Sequence, residues 1–173
     1  MKFEWLYLVL AALIPMIVGF IYYHPKLAGT AWMKATGLTD EKMKSGNMGV
    51  ILIASLFLSF LVAVSIAMFT THQTDLHSMF NDLDGYGEEG SVISNLISDA
   101  LAISGDRYIS FGHGAFHGTF IGLFFVFPIM ATNNLFERRP FKLTIINAIY
   151  WIITLALMGG FLNQFGFQEF TAF

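Results

Sequence analysis

Five histidines are the side chains in this sequence best suited to chemistry, and their spacing is uneven. His113 and His117 stand four residues apart, so on a helix their rings lie one above the other. His72, His77 and Glu4 are the further donors expected at the same end of the molecule. An imidazole pair at this spacing, joined by a third histidine or a carboxylate, suits Zn²⁺ or Cu²⁺ through nitrogen and oxygen ligands. The chain has no cysteine, so a thiolate site and a disulfide framework are both excluded. No HExxH-type signature is present. The plainer reading of His113 and His117 is a pair of interfacial residues hydrogen-bonded to neighbouring helices or water. On composition alone that reading outweighs the metal.

A second polar group comprises His24, Asn134, Glu137, Arg138, Arg139 and Asn147, with Tyr22, Tyr23 and Asn133 nearby. Two arginines can hold an anion or a lipid headgroup. The simpler account makes Arg138 and Arg139 determinants of membrane orientation, with Glu137 pairing with one of them. The asparagines then cap helix ends, and Asn147 bonds to a neighbouring helix. The turn-rich acidic run from Asp82 to Gly90 echoes a calcium loop only at its start. Tyr86 occupies a ligand position and no glutamate closes the loop.

These groups are positioned by a very apolar chain. Of 173 residues 55% are hydrophobic and only 12% charged, and the mean hydropathy is +0.64. The charges gather between long apolar runs, which describes one integral membrane domain rather than a soluble fold. The small net charge of −3 and the lack of a basic block argue against nucleic acid as a partner. Four spans are expected, at about 3–23, 47–71, 113–136 and 141–163. The first is read as a retained span rather than a signal peptide, because its apolar core is long and no small-residue cleavage site follows.

The third span carries Gly114, Gly118 and Gly122, a bare stripe against which another backbone can approach closely. Ser55, Ser59 and Ala63 on the second span, continued by Ala67, form a small-residue stripe of the same period. The two stripes are expected to mate, the alternative being that each faces a different neighbour. Ala11, Pro15 and Gly19 make a further close-packing face on the first span. The connection 72–112 contains two stretches of helical apolar spacing, around Leu76–Leu83 and Val92–Leu101. It is expected to form a short amphipathic helical flap over the bundle mouth. The fold class predicted is therefore an all-α, four-span membrane bundle with an extracytoplasmic flap.

Seven of the nine basic residues, namely Lys26, Lys34, Lys42, Lys44, Arg138, Arg139 and Lys142, fall in the first and third loops. The positive-inside rule then puts both termini and the flap outside the cytoplasm, in a bacterial inner membrane.

Several of these residues also carry a resemblance. Gly19…Tyr23-His24-Pro25…Trp32…Gly37, followed by Asn134-Leu135-Phe136-Glu137-Arg138-Arg139-Pro140…Lys142…Asn147…Tyr150-Trp151…Met158-Gly159, resemble a family of small bacterial four-helix membrane proteins. That family is the domain of unknown function 1761. The resemblance covers most of the chain apart from the second loop, which is longer here. It implies a four-span fold and bacterial origin and no particular reaction.

Three functions compete on the sequence. The first is a non-enzymatic accessory, assembly or scaffold protein that packs against itself or a larger membrane complex. The second is a small transporter or metal-binding protein using the outer histidines. The third is a membrane-embedded metal-dependent enzyme. The spans hold few ionisable residues, which favours the first.

Overall fold

The computed structural model describes residues 2–168. Four of its helices are long and apolar enough to cross a membrane: α1 (Trp5–Tyr22), α4 (Met48–Thr70), α7 (Phe111–Phe136) and α8 (Phe141–Phe165). Short helices join them. α2 (Thr30–Thr36) and α3 (Asp40–Lys44) lie in the first connection, and α5 (His72–Phe80) and α6 (Val92–Ser104) in the second. A two-residue antiparallel pair, β1 (Lys2–Phe3) with β2 (Phe167–Gln168), ties the start of the chain to its end.

The local signals act where the residue types put them. Thr39 Oγ1 accepts the Lys42 N–H at the start of α3, and Asn47 Oδ1 accepts the Val50 N–H at the start of α4. Gly37 closes α2 at φ 69°, a left-handed conformation that glycine adopts without a side-chain clash. α7 widens into a π-turn at Gly122–Val126, where the Phe127 N–H bonds to Gly122 O. Pro128, which has no N–H to give, follows one residue later.

Burial is concentrated in one helix. In α8, 44% of the most apolar stretch is buried, against 17–22% in the other three long helices, so α8 is the central element. Around it Leu8, Ala11, Ala63, Ile66, Ala67, Leu155, Met158 and Leu162 form the core. Large apolar side chains point outward instead, among them Phe20, Phe69 and Phe125. Thr70, Thr144, Thr154 and Asn163 are buried within. An outward apolar surface of this extent suits lipid and not water.

The glycine stripe does not mate with the small-residue stripe of α4. Gly114, Gly118 and Gly122 instead press against the backbone of α8 at Gly159, Leu155 and Ile152. Ser59 and Ala63 are buried, Ala63 within the core it shares with α1 and α8, and Ser55 and Ser59 line a groove beside α1. The reason is that α8 brings its own bare surface, Gly159, to meet Gly114. Two glycines facing each other allow a closer approach than serine and alanine do.

Candidate metal centre

Three backbone devices bring His72, His113 and His117 together. Thr71 leaves helical geometry at φ −122°, ψ 103°, so the chain turns off the axis of α4 and His72 opens a new helix. His72 is therefore the first residue of α5, at the start of the second connection. Ser110 caps α7, its Oγ accepting the His113 N–H at 3.2 Å, while Gln164 Oε1 accepts the Phe111 N–H. The helical repeat then sets the His117 ring over His113, with centroids 4.5 Å apart.

The ring nitrogens converge. His113 Nε2 lies 3.0 Å from His72 Nε2 and 3.0 Å from His117 Nε2. One ligand nitrogen from each of the three residues falls within 4.8 Å of the others. A neutral imidazole nitrogen either donates one hydrogen or accepts one. His113 Nε2 cannot satisfy both neighbours in this way, because its two contacts compete for one hydrogen-bonding position. A metal ion removes the conflict, since each nitrogen then points its lone pair at a common centre. With Zn–N bonds of about 2.0–2.1 Å, tetrahedral geometry separates ligand nitrogens by about 3.3 Å, close to the two separations that His113 Nε2 makes.

The surroundings fix the rings. Asp75 Oδ2 is 4.0 Å from His72 Nδ1, one turn along α5, placing a carboxylate on the nitrogen that faces away from the cluster. Tyr108 stacks on His113 with centroids 4.8 Å apart and meets the edge of His72 at 5.8 Å. Tyr108 sits at φ 70°, a left-handed conformation unusual for a bulky side chain. Two buried amides hold it there. Asn163 Nδ2 donates to Tyr108 O at 2.9 Å and Ser110 O at 3.3 Å, and Gln73 Nε2 donates to Gly105 O and Arg107 O.

Two expected donors lie elsewhere. Glu4 precedes α1 with its N–H bonded to Gly166 O, and among the described residues the three-histidine group does not include it. Its helix packs on α4 and α8, whereas α7 lies along another side of α8. His77 stands outside the three-histidine group: its Nδ1 pairs with Tyr86 Oη at 3.2 Å, in the acidic hinge. Burial lowers the pKa of His77 from its ordinary value. Ser91 caps α6, its Oγ accepting the Ser94 N–H, and the hinge is tied to that cap by Gly85 O, which accepts from the hydroxyls of Ser91 and Ser94.

At the opposite end the polar residues have local partners. Tyr23 Oη donates to Asn147 Oδ1, Asn134 Nδ2 to Thr144 Oγ1, and Arg139 pairs with Glu137 at 3.4 Å. His24 Nδ1 accepts the Lys26 N–H, and Arg138 turns the chain at φ 56°. Asn134 thus bonds across to α8 rather than capping its own helix.

Sequence reasoning passed over Gln73, Asp75, Arg107 and Tyr108 as parts of this region. Arg107 carried one visible signal, as the sole Lys or Arg between Lys44 and Arg138.

No curated protein and no solved structure shows significant similarity to the chain. A family model described as "Protein of unknown function (DUF1761)" matches residues 6–163, the long second connection included. With nearly its whole length inside that match, the chain belongs to the DUF1761 family.

Proposed function

We propose that this protein is a small multi-pass protein of a bacterial cytoplasmic membrane that binds one Zn²⁺ or Cu²⁺ ion through His72, His113 and His117. The observation that carries the reading is the meeting of two imidazole nitrogens on His113 Nε2 at 3.0 Å each, an arrangement that protons alone leave half satisfied. The distribution of basic residues supports an orientation with both termini, the flap and the metal outside the cytoplasm. The site then faces a compartment where metal ions arrive from the medium.

The test is metal-dependent stability of the purified protein in detergent. Zn²⁺ at a hundredfold excess over its Kd raises stability by about 2.7 kcal/mol for a single site. His117→Ala and His113→Ala should abolish that gain. Equal stabilisation of wild type and both variants would refute the site.

A second reading, an accessory or assembly protein that packs against a further copy or a larger complex, has one observation in its favour. A groove of about 720 Å³ opens between α1, α4 and α8, walled by Gly19, Ser55, Ser59, Val62 and Trp151. Small residues along an apolar groove favour close packing of another helix. Gentle extraction followed by mass spectrometry of co-eluting chains separates this reading from the first. A stoichiometric partner supports it, and elution of the protein alone counts against it.

A further inference from the structure

Three histidines fill three positions of a tetrahedral ion and leave a fourth open. A cavity borders the histidine group through His72. It has a volume of about 360 Å³, is walled by His72, Gln73, Leu76, Ile103, Arg107 and Tyr108, and so shares one ligand with the metal group. Tyr108, stacked on His113, forms another part of the same wall.

The cavity has two unlike sides. One is cationic: Arg107 lies over the Tyr108 ring with its guanidinium carbon 4.8 Å from the centroid. Its backbone carbonyl is held by Gln73 Nε2 at 3.0 Å, so the residue is anchored by the amide next to His72. It is the only Lys or Arg in the residues from 45 to 137. The other side is apolar, made by Leu76 of α5 with Ala100 and Ile103 of α6. The Asp75 carboxylate lies near His72 at Nδ1, so the ring separates it from the Nε2 side that faces His113.

We infer, resting on the metal reading above, that this cavity takes an oxyanion with a short apolar tail, a carboxylate or a phosphate, as the fourth ligand of the ion. The oxygen meets the metal, Arg107 holds the anionic head, and the tail lies along Leu76, Ala100 and Ile103. A soluble carboxylic acid and a lipid phosphate offer the same recognition chemistry. Both carry a negative head on an apolar chain.

The full-length protein in neutral detergent, loaded with Co²⁺, provides the test, because the visible absorption of tetrahedral Co²⁺ changes with its fourth ligand. Four probes are titrated: acetate, hexanoate, inorganic phosphate and dihexanoyl phosphatidate. Saturable shifts are expected, with the tailed member of each pair tighter by about fourfold for every methylene that the wall buries. In Co²⁺-loaded Arg107→Gln protein, anion affinity should fall by about tenfold or more, as loss of a charge-assisted hydrogen bond requires. Arg107→Lys should keep part of it. Tighter phosphatidate than hexanoate identifies a lipid headgroup as the source, and the reverse order identifies a soluble acid. Co²⁺ uptake with no spectral response to any anion overturns the inference and leaves the metal site standing. Wild-type affinity in both Arg107 variants, or tailed and tailless probes binding alike, also overturns it. Failure to take up Co²⁺ at all removes the three-histidine reading itself, and this inference with it.

Discussion

Substituting Gly118 by alanine tests the packing on which the rest of the bundle depends. A methyl group built there falls 2.5 Å from the Leu155 carbonyl carbon and 2.9 Å from Ala156 N, both backbone atoms of α8. Ordinary contact between carbon atoms lies at about 3.5–4.0 Å, so the two helices must part by about 1 Å. No side-chain rotation can relieve this, because the obstacle is main chain. Overpacking of this kind costs about 1–3 kcal/mol. Gly112 provides the control. It lies in the same helix, yet a methyl there meets nothing within 4 Å. Alanine at that position should be neutral or stabilising by about 0.5 kcal/mol, through its lower chain entropy in the unfolded state. Each kcal/mol shifts Tm by about 2–4 °C in a protein of this length. Thermal unfolding in detergent, followed by tryptophan fluorescence, should therefore place Gly118→Ala about 2–14 °C below Gly112→Ala. Gly122→Ala should fall between them, since its nearest obstacles are Ile152 Cα at 2.9 Å and the more compliant Ile152 Cγ1 at 3.0 Å. Equal melting of the Gly118 and Gly112 variants would refute the close approach of α7 to α8.

Asn163→Leu removes both donors that hold Tyr108 O and Ser110 O, and should cost about 1–3 kcal/mol and speed amide hydrogen exchange across residues 105–110; unchanged exchange there would contradict the tether. Tyr23→Phe takes the hydroxyl from Asn147 Oδ1 and should lower stability by about 1 kcal/mol, read as a drop in Tm that Asn147→Leu does not deepen when the two are combined. His77 is favoured in its neutral form, since burial lowers its pKa from 6.5. The unfolded flap therefore binds more protons than the folded one, and flap stability should be complete above pH 6.5 and decline as pH falls toward the folded pKa. Hydrogen exchange over residues 72–91 measures this, and His77→Gln should remove the pH dependence.

What the sequence revealed, and what it hid, follows from the range of each interaction. Four helices long and apolar enough to cross a membrane were legible, because length and hydropathy are properties of a continuous segment. The caps at Thr39, Asn47 and Ser110 act within three residues and are equally local. The glycine stripe on α7 was visible as a close-packing face, but its partner was not. The choice between the small residues of α4 and the Gly159 region of α8 depends on which helices become neighbours, and a repeat of four on one helix carries no information about that. That His72 opens a helix of its own was not legible, because the apolar run continues to Thr71 without a break in composition. The extended conformation of Thr71 has no compositional mark. Gln73, Arg107 and Tyr108 lay hidden for a further reason: they meet only after 32 or more residues of flap have folded back on themselves.

The same tethers explain why the polar chemistry of so apolar a chain collects at a joint. The three histidines are divided between α5, which begins the second connection, and α7, one of the four long apolar helices. His72 reaches α7 through its ring, while the next residue, Gln73, reaches the loop before α7 through its amide. On the far side of that loop, Asn163 of α8 fastens Tyr108, and α8 is in turn locked to α7 by facing glycines. A change in the angle between flap and bundle therefore moves His72 and the wall of the cavity together. An ion held by all three histidines joins α5 to α7 directly, so its binding energy opposes any such change. The rigidity of the α7–α8 contact and the affinity of the site are then two measurements of one arrangement, and a methyl group at Gly118 should weaken both.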